Sequence, residues 1–477
     1  MPRRLGQAPK RESDRTRTPQ NCYFVTNFGV SYKGFWAATL GASWAALCWW
    51  AFVESVWAFG ALFGSPNMSA CVTADDLPEA CQHGDFRRRI KKRAMLTNQR
   101  SLFALPDDLR YLNCASRSPY PMATMEAGKA AVERMLVPVS QPPDEYFAKS
   151  EAFRDKVAEL VGCSADQVAI TPAVSYGIGI AAHNWSLGPG RTVVVPEGEF
   201  PSDVYAWMAA CERTGASMVT VARPADGEDL AARWSQAMID AIDARTAVVS
   251  LSTVLWADGT AFDLTAIASR AREVDALVVV DATQSLGAAP FPYADVQPDL
   301  LLCSAYKWLF CPDQFAISVV GDRLIEAAPF EHHWSNRAGS QDTTGTGLRD
   351  TFRPGARRFD VGGHSNNVTL SMANASLEQV LAWGPGQVAD YCTRLMAPLL
   401  AHLKSSPYAI PGPNDHLGHI VGIRHDDVAT RERAMTEIAK RNIRVSLRGD
   451  AIRVSPNVYN TPDDIEVLIE ALDAALR

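Results

Sequence analysis

"VVVDATQSLGAAPFPYADVQPDLLLCSAYKWLF" (278–310) decides the reading of this chain. An apolar, β-branched run ends in an acid, Asp281. A second apolar run ends in "CSAYK", where Lys307 stands alone among apolar and aromatic neighbours. Runs that are continuous rather than alternating are those of strands buried on both faces. A carboxylate and an amine at the ends of two such strands need a reason, because charges are seldom buried without partners.

Outward from this stretch the same pattern repeats. Short apolar runs stand at 168–170, 192–196, 217–222, 247–252, 277–283, 300–305 and 315–320. Helical segments separate most of them. Residues 203–215 end at a glycine stop, and 263–274 open with Asp263 as N-cap. The alternation predicts an α/β fold: an open, mostly parallel seven-stranded sheet with helices on both faces. A smaller α/β unit follows, with strands at 418–425 and 451–456 and helices at 430–442 and 461–476. The last of these carries Thr461 as N-cap, Pro462 in the first turn and Asp464 in capping-box position. Four regions are expected: an extension over 1–94, an N-terminal part of the small domain over 95–130, a large domain over 131–370 and a C-terminal small domain over 371–477.

The chain has 477 residues, 47% of them hydrophobic and 21% charged, with a formal net charge of −7. Such a balance gives no general attraction to nucleic acid. The ten cysteines form no CxxC pair and no regular framework, which points to reduced thiols and a cytoplasmic setting. Residues 35–63 hold five tryptophans and one charge, Glu54. Basic residues flank this apolar segment on both sides. Three readings are open for it: a membrane anchor, an interfacial or buried hairpin, or an upstream extension outside the working protein. No metal site stands out, since His332, His333, His416 and His419 come in short pairs without acidic or thiol company.

In an open parallel sheet, ligands sit at the carboxyl ends of the strands. A buried lysine tends to lose its proton, and a neutral amine is a nucleophile for carbonyls. A buried carboxylate needs a cationic partner. Pyridoxal 5'-phosphate meets both demands, taking the lysine at its aldehyde and the acid at its protonated ring nitrogen. The bland readings are a helix cap for Asp281 and a snorkelling side chain for Lys307. "PAVSYGIGI" (172–180) adds an anion site, a helix start with small residues whose free N–H groups face a phosphate, with Val174 and Ser175 at its head.

"DATQSLG" with "SAYKWL" resembles the class V aminotransferases of the fold type I pyridoxal-phosphate enzymes, a group that includes kynureninases, cysteine desulfurases and isopenicillin N epimerase-like proteins. The likeness covers about residues 95–477. It implies that Asp281 pairs with the pyridine nitrogen and that Lys307 carries the cofactor. It also implies that Gln284 donates to the phenolic oxygen and that Ser304 and Tyr306 contact the phosphate. "EGEFPSDVYAW" (197–207) resembles the kynureninase loop, with Phe200 stacked on the ring and Asp203 close by. Trp256, in "STVLWADG", would face the pocket. Arg453 matches an arginine that grips the substrate carboxylate. "RRFDVGGHSNN" (357–367) resembles the loop that reaches a partner's phosphate through Ser365 and Asn366, which implies a homodimer with shared sites.

The match departs in three places. Residues 442–453 contain no cysteine where desulfurases carry a nucleophilic one, so persulfide chemistry is disfavoured. Cys311 stands where relatives have glycine, which predicts a loop with less backbone freedom. Gln284 replaces the histidine usual in kynureninase. The implied activity is that of an enzyme acting on an amino acid, most simply an aminotransferase, with a lyase or epimerase as the alternative. A membrane-tethered interaction protein is the reading from another class.

Overall fold

The computed structural model describes residues 95–137, 139, 145–342 and 344–477. The apolar segment 35–63 and the extension around it lie outside the described residues. No helix among the described residues is long and apolar enough to cross a membrane.

All seven apolar runs are strands of one sheet. After a two-residue β1 (Arg110–Tyr111), β2 is Val168–Thr171, β3 Thr192–Pro196, β4 Ser217–Val221 and β5 Thr246–Ser252. Next come β6 (Leu277–Asp281), β7 (Leu300–Ser304) and β8 (Ala316–Val320). Their order is β2-β8-β7-β6-β5-β3-β4. β8 runs antiparallel to both neighbours, and the other pairs are parallel. Every residue of β3, β5 and β6 is buried. That is why these strands read as continuous apolar runs. From β3 the chain steps outward to β4, then returns past β3 to β5, β6 and β7, so the order reverses between β3 and β5. The crevice outside that reversal is where such sheets bind ligands.

The helices follow local rules. Pro201–Thr214 starts with proline in its first turn and stops at Gly215, whose φ of 77° satisfies a left-handed cap. Leu264–Glu273 is capped by Asp263, which accepts from the Ala266 amide. Val174–Asn184 lies tight on the sheet. A Cβ at Gly177 would stand 2.3 Å from Leu302 Cδ2, so the glycine serves close helix–sheet packing.

The C-terminal part carries a second sheet. β9 is Val421–Arg424, β10 Ile443–Arg444, β11 Ser446–Arg448 and β12 Ala451–Val454, with order β11-β12-β9. β1 pairs in parallel with β10, and Asn113 bridges Ser455, which ties residues 110–113 to this part. The last helix, Pro462–Ala475, has the full capping box of Thr461 and Asp464. The boundaries expected at 130 and 370 fall inside two helices, Met122–Arg134 and Asn367–Trp383, which pack on each other through the Thr124 and Ser376 hydroxyls at 2.8 Å.

One buried ion pair fixes the edge of the sheet. Arg154 and Asp360 are both buried. Arg154 donates to the Val168 carbonyl and to Asp360, whose other oxygen accepts from the Ile170 amide at 2.9 Å. Removing one member leaves the other charge uncompensated in the core, which costs about 3–5 kcal/mol. Arg154→Ala is therefore expected to lower the unfolding free energy by that amount in a denaturant titration with an unchanged slope. A loss under about 1 kcal/mol would mean that water reaches this pair.

Candidate active site

The carboxyl ends of β3, β5, β6 and β7 converge on one cleft. Val174, Glu199, Phe200, Ser252, Trp256, Asp281, Thr283, Gln284, Ser304, Tyr306 and Lys307 line it. Eight of the thirteen positions singled out from the sequence thus meet here: Val174, Phe200, Trp256, Asp281, Gln284, Ser304, Tyr306 and Lys307.

Lys307 follows β7 and is buried, at 8% exposure. Among the described residues no carboxylate lies within ion-pair distance of it. Its Nζ stands 5.6 Å from the Phe200 ring centre and 5.7 Å from that of Tyr306. Burial lowers its pKa, Asp281 opposes that shift, and Arg453 adds to it. The amine is biased toward its neutral, nucleophilic form.

Asp281 ends β6, and its Oδ1 accepts from the Thr283 amide at 2.7 Å. Asp203, in the first turn of Pro201–Thr214, is buried beside it with both carboxylate oxygens unpartnered. Burial raises the Asp203 pKa, and the charges of Asp281 and Glu199 raise it further. Burial and the neighbouring acids together bias Asp203 toward its protonated form. Glu199 was not singled out from the sequence. It accepts from the amides of Phe200 (2.7 Å) and Ser252 (2.6 Å), tying the ends of β3 and β5 together. Burial pushes it up to about 7. Its signal was available: an acid three residues beyond the end of a buried strand.

Phe200 and Trp256 form an edge-to-face pair at 5.6 Å over the cleft. The Trp256 indole is held by the Gly198 carbonyl at 2.9 Å. Arg453 on β12 is buried. It donates to the Trp256 carbonyl at 2.5 Å and to Ser116 Oγ at 2.7 Å. Burial, reinforced by the nearby charge of Arg448, lowers its pKa to about 10.

The structure adds detail at several of the expected positions. The Gln284 amide is already engaged: Nε2 donates to the Ala115 carbonyl (3.1 Å), and Oε1 accepts from the Trp308 indole (3.0 Å). The indole fixes which end of the amide is the donor, and one N–H is left for the cleft. Asn366 caps the helix Asn367–Trp383, accepting from the Val368 and Thr369 amides, and neither it nor Ser365 lines this cleft. Ser175 is exposed at its helix head. Cys311 shows no positive φ. The strained positions of its loop are Phe310 and Gln314, both at φ 56°, so the cysteine fits without the freedom of glycine.

A pyridoxal phosphate fits these residues. The group needs a reactive amine, an acid for its ring nitrogen and donors for its phosphate. Among the described residues Lys307 has no counter-ion, both oxygens of Asp203 beside Asp281 are buried without a partner, and no side chain caps Val174–Asn184, whose first N–H groups are free for an anion. A larger cleft of about 450 Å³ lies between Arg223, Asp258 and Arg424, but there both arginines are already paired with Asp258.

Comparison with known proteins agrees. The profile described as Aminotransferase class-V matches residues 110–468. A cysteine desulfurase of Enterobacter sp. (strain 638) is 24% identical over 387 residues, covering 76% of this chain and 92% of that one. An uncharacterized aminotransferase of Bacillus subtilis (strain 168) is 25% identical over 335 residues, covering 69% and 85%. The fold is shared with the cysteine desulfurase CsdA of Escherichia coli at a TM-score of 0.66 and 20% identity, over 79% of this chain and 97% of that one. It is shared too with a C-DES mutant holding glycine covalently linked to its PLP cofactor, at a TM-score of 0.69 and 17% identity, over 79% and 99%.

Behind Gln284 sits His419, fully buried. Its Nε2 meets the Gln284 carbonyl at 2.5 Å, and its ring stands edge-on to Trp308. Burial lowers its pKa to about 4. Unfolded, this histidine takes a proton near pH 6.5, whereas folded it does not until about pH 4. Its contribution is present above pH 6.5 and is lost as pH falls toward 4. The unfolding free energy is expected to drop by up to about 1.4 kcal/mol per pH unit from this group across that window. His419→Phe should remove that share of the slope, read from denaturant titrations at several pH values. An unchanged slope would show that His419 is protonated in the fold.

Proposed function

The chain belongs to the Aminotransferase class-V family and is a pyridoxal-phosphate-dependent enzyme; we propose that it is an aminotransferase acting on an α-amino acid. The observation that carries the reading is Lys307: a buried amine without a counter-ion among the described residues, facing an aromatic-walled cleft backed by buried acids. When bound, the cofactor supplies an aldehyde that condenses with amines and a ring that accepts the electron pair released at the neighbouring carbon.

The residues of the chain do the rest. Lys307 holds the cofactor, then, once released, moves the proton at the substrate's Cα, a task its lowered pKa suits. Asp281 keeps the ring nitrogen protonated, and Asp203 beside it, biased by burial toward its protonated form, limits the negative charge in the cleft. The free N–H groups at the head of Val174–Asn184, with Ser175, Ser304 and Tyr306, take the phosphate. Phe200 covers the ring and, with Trp256, limits water. Arg453 receives the substrate carboxylate by a bidentate fork. Ser365 and Asn366 would serve the neighbouring site of a homodimer.

Carbon–sulfur cleavage is the second reading, favoured by the cysteine desulfurase relatives and by a fold neighbour described as a cystine C-S lyase. The hairpin next to Arg453 speaks against a persulfide step, since β11, its turn and β12 hold no cysteine. Cys114, behind the cleft, is wholly buried with its pKa pushed up to about 12, so its thiol stays protonated.

Two measurements test this. In single half-reactions on a panel of amino acids, transfer yields keto acid together with the amine form of the cofactor. Release of ammonia, sulfide or persulfide instead would replace the aminotransferase by a lyase. Asp281→Ala should lose cofactor occupancy and at least 100-fold in kcat/KM, while Arg453→Lys should retain cofactor and raise KM. Normal turnover in Asp281→Ala would remove Asp281 from the site.

A further inference from the structure

We propose that the substrate is an amino acid with a second carboxylate on its side chain, and that Arg448 recognises that second carboxylate. This deepens the reading above and rests on it in taking Arg453 for the α-carboxylate.

β11 and β12 form a hairpin in which Ser446 pairs with Arg453 and Arg448 with Ala451. The turn is two residues long, with Gly449 at φ 58°. Side chains alternate along a strand, so Ser446, Arg448 and Arg453 share one face. That face meets Ser116. Its Oγ takes Arg453 Nη2 at 2.7 Å and Arg448 Nη2 at 3.3 Å. Two guanidinium groups therefore lie within hydrogen-bond distance of one neutral oxygen.

The surroundings do not balance them. Ser116 Oγ next meets Ser446 Oγ at 3.0 Å, and Ser446 donates to Asn113 Oδ1 at 2.8 Å. These groups are all neutral. The nearest acid in the chain, Asp450, is engaged by Arg424 Nε at 3.0 Å. Three arginines are buried among the described residues. Arg154 pairs with Asp360 and Arg353 with Glu151, whereas Arg453 has no carboxylate partner there. Arg448 has none either, and both Nε atoms are buried without a hydrogen-bond partner.

Both cations border the cleft. Arg453 donates to the Trp256 carbonyl, and Arg448 Cζ stands 5.7 Å from the Trp256 ring centre. Trp256 lines the same cleft as Lys307. An α-carboxylate neutralises one guanidinium. The second, half-buried and preoriented over an aromatic ring, is left to a second planar anion, which its fork fits. A substrate without that anion leaves a partly desolvated cation pair unbalanced, and this is a source of selectivity by exclusion.

The test compares near-isosteric pairs that differ by one charge, in the cofactor-loaded enzyme. For aspartate against asparagine and glutamate against glutamine, kcat/KM should favour the acid of at least one pair by about 100-fold. Arg448→Met keeps the apolar stem over Trp256 and should bring that ratio within threefold, while Arg448→Lys should retain part of it. A second arm needs no turnover. Succinate should bind at least tenfold tighter than butyrate by tryptophan fluorescence, and Arg448→Met should erase the difference. Loss of acid and amide in equal proportion would overturn the proposal and give both arginines to one α-carboxylate. So would a wild-type enzyme without preference for the acids. If no amino acid reacts at all, the aminotransferase reading fails, and the succinate arm still decides the role of Arg448.

Discussion

The structure turns on one unbalanced charge: the amine of Lys307, buried at the end of β7 without a counter-ion among the described residues. An ammonium there loses hydration and gains little in return, because Asp281 only partly offsets burial while Arg453 repels it. The balance is tilted toward the free amine, and a free amine in such a cleft is a trap for a carbonyl. On the acid side the same logic runs in reverse. Asp203, Glu199 and Asp281 crowd together, so burial and repulsion bias Asp203, whose oxygens have no partner, toward its protonated form.

The scaffold exists to hold these groups still. β6 and β7 are adjacent parallel strands, with Asp281 registered on Leu302, so the acid and the lysine loop leave the sheet side by side. Thr283 accepts from the Ser304 amide at 2.8 Å and locks the two loops together. Glu199 does the same for β3 and β5. Each tie is a backbone amide held by a side-chain oxygen, which orients the loop without depending on a flexible partner. From the other side, the small sheet brings Arg453 and Arg448 on a short hairpin to the Trp256 wall. The cleft thus has an amine and acids on the large sheet and two arginines on the small one.

Much of this was legible in the sequence, and the reason is physical. Strands buried on both faces cannot hide their composition, so all seven runs stood out, and a lone charge at the end of such a run has few structural uses. Asp281, Lys307 and the Thr461 capping box were visible on those grounds. What was not legible depends on distant approach. Ser116 and Arg448 are 332 residues apart and neither is unusual in its own neighbourhood. The Gln284 amide is held by Trp308 and by the Ala115 carbonyl, so its remaining donor could not be inferred from residue type. The helix Pro385–Leu403 runs through Pro398, a residue that reads as a stop. Asn366 also caps a helix, a local role that residue type alone does not separate from a contact to a partner.

The most direct test of the account is chemical. Reducing the cofactor-loaded protein with borohydride and mapping its peptides should fix the pyridoxyl group on the peptide that contains Lys307, with loss of the visible absorbance band. Lys307→Ala should show neither the band nor the modified peptide, even though the fold is retained. A pyridoxyl group on another lysine, or an undiminished band in Lys307→Ala, would contradict the assignment of the buried amine and with it the mechanism built around it.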